Sequence, residues 1–408
     1  MKKIFTLFFL IMILHGITKS QKNVSYNLIM RSNYGTTKLW DNNTVRIYGF
    51  SQTLGGSPML PGPTLYVEEG DSLLVNAANI SQLHTHTVHL HGMDADTKND
   101  GDPMTSHPVF HGSTKTYRVL ANNAGTYIYH CHVEDVVHVQ LGMYGLIVVK
   151  AAGGTKTAWT GGPAFHSTHN WLTSEIDKSW HDTIPERIDD TLKIPPYIPD
   201  YFLINGKSEQ QIDGDDSIKI NGSENEFIYI RIANIGNFNN KLIFPSALNA
   251  KTIDSDGRPL PNAIQNDTLE VMPGERYGVM LNPTSQFLDS VSLSFSDLNT
   301  DSIWNTQYIP VNIDGIYSVK EIVDNGSIVN IFPNPAKNDI RIILSSQENH
   351  RSIDLKIINS LGQIVMSENK TCSNNSFNAD VSLLDNGLYS IQINAGNLHY
   401  SKKLIISK

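Results

Sequence analysis

The residues that could most clearly carry out chemistry lie in one short stretch of the chain, residues 130–143. A cysteine stands there between two histidines, and a further histidine and a methionine follow. Because alternate side chains of a β-strand point to opposite faces, the cysteine faces one side and its two neighbours the other. A thiolate, two imidazoles and a long thioether contact are the ligands of a blue-copper electron-transfer site, so the stretch lacks only one imidazole. The residues concerned are His130, Cys131, His132, His138 and Met143.

A second stretch, residues 84–92, supplies further histidines. Strand parity places His89 and His91 on one face and His86 on the other, because an offset of three residues reverses the direction of a side chain. We therefore predict that His86 joins Cys131, while the other two join the histidines that flank the cysteine. Two neighbouring strands would then build a mononuclear metal site on one side and half of a polynuclear histidine site on the other.

The two stretches resemble the metal-binding motifs of the multicopper oxidases, a superfamily of cupredoxin barrels that includes laccases and cuprous or ferrous oxidases. The resemblance implies copper as the cofactor and Cys131, His130 and His132 as the catalytic residues that connect the two centres. The loop from Cys131 to His138 is two residues longer than the usual laccase spacing. The implied type 1 copper ligands are His86, Cys131, His138 and Met143. The implied half of the type 2/type 3 cluster is His89, His91, His130 and His132.

Two other segments carry the same resemblance. Residues 61–71 are similar to the early strand motif of the family's first domain, and residues 100–104 resemble the acidic loop after its first histidines. Zinc is the rival metal, because cysteine and histidine suit it too. Met143, a soft and weak ligand, is better matched to copper.

Three further histidines of this region fall outside the family pattern. His84 shares the strand parity of His86, and we interpret it as a residue behind the ligands or in solvent. His107 and His111 precede a strand-like run, and we predict that both lie on the surface.

Composition and charge exclude several partners. The chain has 408 residues, of which 40% are hydrophobic and 17% charged, and its formal net charge is −9. This balance argues against nucleic acid or an anionic membrane as a partner. The first residues form a short basic head and an apolar run that is too short to span a bilayer, which is typical of a secretory signal cut near Ser20. We therefore expect a secreted or cell-surface protein that is exported through the periplasm.

Export also bears on the two cysteines. In an oxidising compartment a cysteine pair can form a disulfide. Cys131 lies between two histidines and Cys372 lies in a different domain, so we expect a copper thiolate and a lone thiol. No bridge between them is predicted.

Short β-rich runs separated by glycine, proline and asparagine predict an all-β fold, with no helical periodicity of useful length. The expected order is two cupredoxin-like Greek-key β-barrels and then a small β-sandwich. Residues 201–207, 227–234 and 272–280 are similar to middle-domain segments of multicopper oxidases. The expected domains are a signal peptide in 1–20, a copper-binding cupredoxin domain in 21–153, a second cupredoxin-like domain without copper ligands in 154–318, and a sorting domain in 319–408.

The absence of copper ligands from the second barrel is predicted from its histidines. They are His166, His169 and His181, all near its start, and no H-x-H follows. In the last domain, residues 331–338, 385–389 and 402–408 resemble a C-terminal sorting domain of the type IX, or Por, secretion system. That resemblance implies the type IX secretion machinery as a partner and a domain that can be removed after export.

The predicted function is the one-electron oxidation of a small-molecule or metal-ion reductant, a phenol or a metal ion, coupled to the reduction of dioxygen. A trinuclear cluster of this family takes eight histidines, of which four are assigned. A second copy of the chain across a two-fold axis could supply the other four histidines, and so could a different partner chain. Alternatively the cluster is degenerate, and only the type 1 copper or a smaller site remains. We favour the homo-oligomer, with an isologous interface, because keeping both H-x-H motifs without a use would be hard to explain.

Two other functions compete with this prediction. A copper nitrite reductase would resemble H-x-x-D-x-H, where this chain has His89 instead of aspartate, and it would not need His132. A non-catalytic blue-copper electron-transfer or copper-binding surface protein would need only the mononuclear site.

Overall fold

The computed structural model describes residues 21–82, 84–184, 193–314, 328–345, 352–359, 363–371, 376–395 and 398–408. The predicted signal peptide and Cys372 lie outside these residues. Strands make up most of the described chain, so the predicted all-β class is confirmed. No helix within these ranges combines the length and the apolar character needed to span a membrane.

The first barrel consists of two four-stranded sheets around one apolar core. Its strands are β1 (Asn23–Lys38), β2 (Thr44–Ser51), β3 (Leu65–Glu68), β4 (Ser72–Asn79), β5 (His89–His91), β6 (Thr114–Leu120), β7 (Gly125–His130) and β8 (Tyr144–Lys150), and its helix is α1 (Asp135–Gln140). The strand orders are β2-β1-β4-β6 and β3-β8-β7-β5. Alternate side chains of β4, namely Leu73, Val75 and Ala77, enter the core, as the period of a half-buried strand requires.

The pairing of β5 with β7 fixes the relation between the two histidine stretches. The strands are antiparallel, with His89 opposite His130 and His91 opposite Ile128. Leu90 lies between the two histidines of β5, and its side chain is buried in the core. Both histidines of β5 therefore point away from that core, toward the side on which His130 lies.

Local structure around the two stretches is less regular than strand parity assumes. His86 lies outside β5 and forms only an isolated bridge with Val109. β7 ends at His130, and the loop after Cys131 forms α1, a helix that the sequence did not predict. A six-residue helix is too short to show the apolar periodicity from which helices are recognised.

The second barrel combines a six-stranded and a five-stranded sheet, with strand orders β10-β9-β12-β17-β14-β15 and β11-β19-β18-β13-β16. Its strands are β9 (Ser167–Ile176), β10 (Tyr201–Ile204), β11 (Ile220–Gly222), β12 (Ile228–Asn234), β13 (Asn239–Ile243), β14 (Lys251–Ser255), β15 (Arg258–Gln265), β16 (Thr268–Val271), β17 (Arg276–Leu281), β18 (Phe287–Ser296) and β19 (Ile303–Ile313). Its helices are α2 (Lys178–Thr183) and α3 (Gln210–Asp213). Asp177 caps α2 by accepting hydrogen bonds from the backbone N–H groups of Ser179 and Trp180.

The C-terminal part is a small sandwich with its own apolar core. Its strands are β20 (Ile328–Phe332), β21 (Asp339–Ser345), β22 (Ser352–Asn359), β23 (Ile364–Thr371), β24 (Ser376–Asp380), β25 (Gly387–Ala395) and β26 (Leu398–Ile406). The sheet orders are β20-β21-β24 and β23-β22-β25-β26. Lys403 forms an ion pair of 3.0 Å with Asp213 of the second barrel.

Buried polar contacts hold the first two barrels together. The Tyr127 hydroxyl on β7 lies 3.2 Å from the carbonyl oxygen of Gly257, and Arg258 donates a hydrogen bond to that hydroxyl. Arg231 lies in the interface with 2% of its surface exposed, and its Nη1 is 3.4 Å from Thr126 Oγ1. These contacts place second-barrel loops beside the strand that ends at His130.

Gly101 is expected to be essential for the position of β5. Its φ is +87°, and an added Cβ would lie 2.1 Å from the carbonyl oxygen of Val88 and 2.5 Å from Cα of His89. We expect Gly101→Ala to destabilise the protein by about 2–5 kcal/mol, from the left-handed conformation and the overlap together. Gly70→Ala is the matched control, because Gly70 has the same φ and nothing within 4 Å of an added Cβ. Urea unfolding of both variants measures the difference, and equal losses would contradict the role of the overlap.

Candidate metal centres

The candidate mononuclear centre consists of three fully buried side chains. Cys131 Sγ lies 3.4 Å from Nδ1 of His86 and 3.4 Å from Nδ1 of His138. The three potential ligand atoms lie within 4.8 Å of one another, and each residue has 0% of its surface exposed. Met143 is also fully buried, and its backbone N–H donates to the carbonyl oxygen of His138. Its own carbonyl accepts from the N–H of Cys131, so the backbone ties Met143 to the other two residues of the loop.

The contacts of Ser81 suit a tautomer of His86 in which Nδ1 is free to bind a metal. Ser81 Oγ donates to the carbonyl oxygen of Met30, and it lies 3.0 Å from Nε2 of His86. With the Ser81 hydroxyl donating to Met30, an N–H at Nε2 of His86 is the matching donor to Ser81. That tautomer leaves the lone pair of His86 on Nδ1, the nitrogen that faces Cys131.

The second group contains four histidines on the opposite side of the same backbone. Ligand nitrogens of His89, His91 and His130 lie within 4.8 Å of one another. The ring of His132 lies 4.9 Å from the ring of His89 and 5.7 Å from the ring of His130, measured between centroids. The structure thus brings together the residues that strand parity placed on each face.

Backbone carbonyl groups orient two of these four imidazoles. Nδ1 of His89 lies 2.7 Å from the carbonyl oxygen of Asp100, and Nδ1 of His130 lies 2.9 Å from that of Cys131. A carbonyl oxygen can only accept, so both Nδ1 atoms carry the proton and both Nε2 atoms have a free lone pair. Such bonds fix the tautomer and ring orientation of metal-binding histidines.

A loop of the second barrel covers one side of the four histidines. A Cβ added to Gly274 would lie 3.3 Å from Cε1 of His91, and one added to Gly92 would lie 2.2 Å from Nη2 of Arg276. Burial, together with the charge of Arg276, lowers the pKa of His91 to about 4. Burial also lowers the pKa of His130 to about 3. No sequence pattern placed Gly274 and Arg276 beside the histidines, because the contact joins distant parts of the chain.

The remaining histidines of the first barrel divide into two kinds. His107 and His111 are exposed, as predicted. His84 is only 7% exposed, so the prediction that it lies in solvent is wrong, and the alternative prediction, that it lies behind the ligands, is correct. Its ring lies 5.2 Å from that of His138, and its Nδ1 lies 3.8 Å from Oε2 of Glu134. Glu134 also lies at this site, although no sequence motif pointed to it.

The histidines of the second barrel have partners of their own. Nδ1 of His166 accepts from the N–H of Phe227, and Nδ1 of His169 lies 3.2 Å from the carbonyl oxygen of Ser217. His181 is buried between backbone carbonyl groups of the first barrel. In the part of the second barrel that the structure describes, no histidine belongs to a group that could hold a metal ion.

Comparison with known proteins decides the family. Two family profiles, both described as multicopper oxidase, match residues 40–153 and 165–302. The chain belongs to the multicopper oxidase family. A third profile, a secretion system C-terminal sorting domain, matches residues 330–407. Both resemblances predicted from the sequence are thus confirmed.

Individual multicopper oxidases and laccases are distant relatives. Laccase-22 of Oryza sativa subsp. japonica is 25% identical over 290 residues, which cover 68% of this chain and 47% of that one. A multicopper oxidase of Staphylococcus haemolyticus is 26% identical over 291 residues, which cover 69% of this chain and 58% of that one. The chain spans about half the length of the curated relatives it matches.

Solved structures of similar fold cover more of their own length. The blue copper oxidase of Nitrosomonas europaea is 25% identical, with a TM-score of 0.56, and the match covers 73% of this chain and 90% of that one. A copper nitrite reductase of Nitrosomonas europaea is 16% identical, with a TM-score of 0.53 and coverage of 72% and 95%. The second likeness shows a common fold alone.

Copper is the cofactor of this multicopper oxidase, and the donor atoms of the mononuclear centre fit it. The Nδ1 atoms of two imidazoles face a buried thiol, and a buried methionine is tied to the same loop. This soft donor set suits copper. Burial raises the pKa of the Cys131 thiol to about 12, whereas it lowers the pKa of His138 to about 3 and that of His86 well below its usual value.

These directions predict one proton released when copper binds at the mononuclear centre. At neutral pH both imidazoles are already neutral and the thiol still carries its proton, which must leave because the thiolate is the ligand. The apparent affinity for copper should therefore rise about tenfold per pH unit between pH 6 and 8. Calorimetry of copper uptake in buffers of different ionisation enthalpy measures the protons released. Cys131→Ser should release one proton fewer than the wild type, and equal release would contradict the assignment.

Proposed function

We propose that this multicopper oxidase is an exported oxidoreductase that takes single electrons from a phenol or a metal ion and reduces dioxygen. The observation that carries the proposal is the position of Cys131 between His130 and His132. One residue of the mononuclear centre is thereby joined through single peptide bonds to two residues of the histidine group. Bound copper would supply one-electron chemistry at the first centre and dioxygen reduction at the second.

The proposed ligands have distinct tasks. At the mononuclear centre, full burial of the side chains excludes water and requires electrons to arrive through the protein rather than by direct contact with a donor. In the histidine group, the carbonyl oxygens of Asp100 and Cys131 hold two rings by their Nδ1 atoms, which leaves each Nε2 to bind a metal. The proposed mononuclear ligands are His86, Cys131, His138 and Met143, and the proposed half-cluster is His89, His91, His130 and His132.

A second copy of the chain is proposed to complete the histidine cluster. His89, His91 and His132 are only half-buried, so one side of the group remains accessible. Among the described residues of this chain, the second barrel offers no histidine group to cover it. A homo-oligomer in which two such faces meet would double the number of imidazoles.

A blue-copper electron carrier is the second candidate function, and the same missing half-cluster favours it. Such a protein would use the mononuclear centre and leave the four histidines without dioxygen chemistry. A copper nitrite reductase is a weaker candidate, because His89 and His132 are not needed for its two centres.

The sorting domain supports export by the type IX secretion machinery to the cell surface or beyond. Within this proposal, the chain consists of a signal peptide in 1–20, the copper-binding domain in 21–153, the second barrel in 154–318 and the sorting domain in 319–408.

Copper content, solution mass and oxygen uptake together test the proposed function. The purified copper-loaded protein should be blue, should form an oligomer and should consume dioxygen with a phenolic dye. A blue monomer with one copper per chain and no oxygen uptake would favour the electron carrier. A colourless protein after loading with cupric ion would contradict both functions.

A further inference from the structure

A cavity of about 510 Å³ lies between the first and the second barrel. One wall is formed by residues 59–64 before β3, and the other includes residues 168–170 at the start of β9. None of the described residues that line it belongs to either candidate copper ligand set. Small-molecule sites have volumes of about 300–1,000 Å³ and often lie where two domains meet. The size and the place of this cavity therefore suit a small organic ligand.

Asn170 and Tyr66 connect the two walls and leave hydrogen-bonding capacity free. Nδ2 of Asn170 lies 3.2 Å from the hydroxyl of Tyr66. Oδ1 of Asn170 is buried, and it has no hydrogen-bond partner among the residues that the structure describes. Turning the amide over would exchange its two ends and leave Nδ2 without a partner instead. A buried polar atom of this kind is rare in native proteins and needs an explanation.

His169 adds an acceptor to the same cavity. Its Nδ1 lies 3.2 Å from the carbonyl oxygen of Ser217, so Nδ1 carries the proton and Nε2 has a lone pair. His169 is 9% exposed, and burial lowers its pKa, so its ring is neutral at pH 7.

The cavity presents no fixed charge to a ligand. Asp216 is the one residue with a full charge among the described residues that line it. Its side chain is 87% exposed and forms an ion pair of 2.8 Å with Lys219. An ionic ligand would therefore find no buried partner of opposite charge, and an uncharged ligand is favoured.

The polar wall is held in place before any ligand binds. Asn205 follows β10 and continues its contact with β9, because its Oδ1 accepts from the N–H of Leu172 and its Nδ2 donates to the carbonyl oxygen of Asn170. The N–H of Tyr66 donates to the hydroxyl of Tyr26. Fixed partners of this kind reduce the entropy that binding costs.

Apolar surface completes the lining. Leu146 and Leu172 are buried side chains of the two barrels, and both line the cavity. The side chain of Tyr66 is 40% exposed, so its ring is accessible to a ligand. A suitable ligand thus has apolar faces as well as groups that donate and accept hydrogen bonds.

We propose that this cavity binds an uncharged carbohydrate, a mono- or disaccharide unit of a glycan. Sugar hydroxyls both donate and accept, so they can pair with the amide of Asn170, the hydroxyl of Tyr66 and Nε2 of His169. The C–H faces of a pyranose ring can pack on the Tyr66 ring and on the two leucines. A simple phenol has a flat ring but a single hydroxyl, so it would leave most of these polar groups unpaired.

Carbohydrate binding would attach the protein to a surface polysaccharide after export. The sorting domain supports a location at the cell surface or beyond, where such polymers are found. The inference does not depend on the proposed oxidase function, because it uses no candidate copper ligand.

Calorimetric titration of the copper-loaded full-length protein with cellobiose, maltose and diacetylchitobiose tests the site. At least one of these disaccharides should bind, with one molecule per chain. Asn170→Ala and Tyr66→Ala should each weaken that binding at least about tenfold, because each removes a buried polar partner or the aromatic face. Tyr308→Ala is the matched control, since it removes an exposed tyrosine of β19 outside the cavity and should bind like the wild type.

Tyr66→Phe separates loss of the ligand contacts from loss of the fold. It keeps the ring and removes only the hydroxyl, so its affinity should lie between those of the wild type and Tyr66→Ala, with an unchanged urea midpoint. Failure of the wild type to bind any of the three disaccharides would overturn the proposal, and so would equal affinity in all the variants. Binding of guaiacol that Asn170→Ala and Tyr66→Ala weaken, without binding of a disaccharide, would assign the cavity to phenols and overturn it as well.

Discussion

Cys131→Ser is expected to remove the blue absorption and to lower the rate of dioxygen reduction at least about a thousandfold. That loss corresponds to an activation barrier raised by about 4 kcal/mol. The buried thiol faces the Nδ1 atoms of both His86 and His138, so it is the one donor that both imidazoles share. A serine hydroxyl is a hard donor that copper prefers less than a thiolate. Visible absorption and oxygen uptake of the copper-loaded variant measure the two losses.

The metal-free variant should fold, which separates loss of the ligand from loss of the structure. Serine is smaller than cysteine, and its hydroxyl can donate to the carbonyl oxygen of Val133, which now lies 3.5 Å from Sγ. Circular dichroism of the metal-free variant should match that of the wild type. A variant that stayed blue after copper loading would show that Cys131 is not the thiolate ligand.

The division of the ligands between two faces could be predicted from the sequence because it depends on local geometry alone. Adjacent residues of an extended chain point to opposite sides, so Cys131 had to face away from His130. The result holds even though His86 lies outside β5 and Cys131 follows the end of β7. The family resemblance added which face takes which kind of copper centre.

Other parts of the site had no signal in the sequence. α1 is only six residues long, and the left-handed conformation of Glu134 breaks the extended pattern before it. The contact of His91 with the loop at Gly274 depends on how two barrels pack, which no local pattern encodes. The carbonyl oxygen of Asp100 orients His89 only because the loop after β5 folds back against β5, and no local pattern predicts that fold either.

His91→Ala is expected to impair one centre and leave the other intact. The blue absorption should be retained, and the rate of dioxygen reduction should fall at least about a thousandfold, which corresponds to an activation barrier raised by about 4 kcal/mol. His91 stands on β5 and faces the histidine group, and its ring is 5.7 Å from that of His130. Removing it takes one imidazole from the group without touching the side chains around Cys131. Stopped-flow absorption measures bleaching by a reductant and recovery with dioxygen as two separate steps.

Bleaching of the His91→Ala protein should match the wild type, because the donor side and the mononuclear centre are unchanged, and only the recovery with dioxygen should slow. His107→Ala is the control, since it removes an exposed histidine of the same barrel and should change neither step. Recovery at the wild-type rate in His91→Ala would mean that the four histidines do not serve dioxygen reduction, and the electron-carrier function would then be preferred. Loss of the blue colour would instead show that the mononuclear centre on one face of the strand pair forms only when the histidine group on the other face is complete.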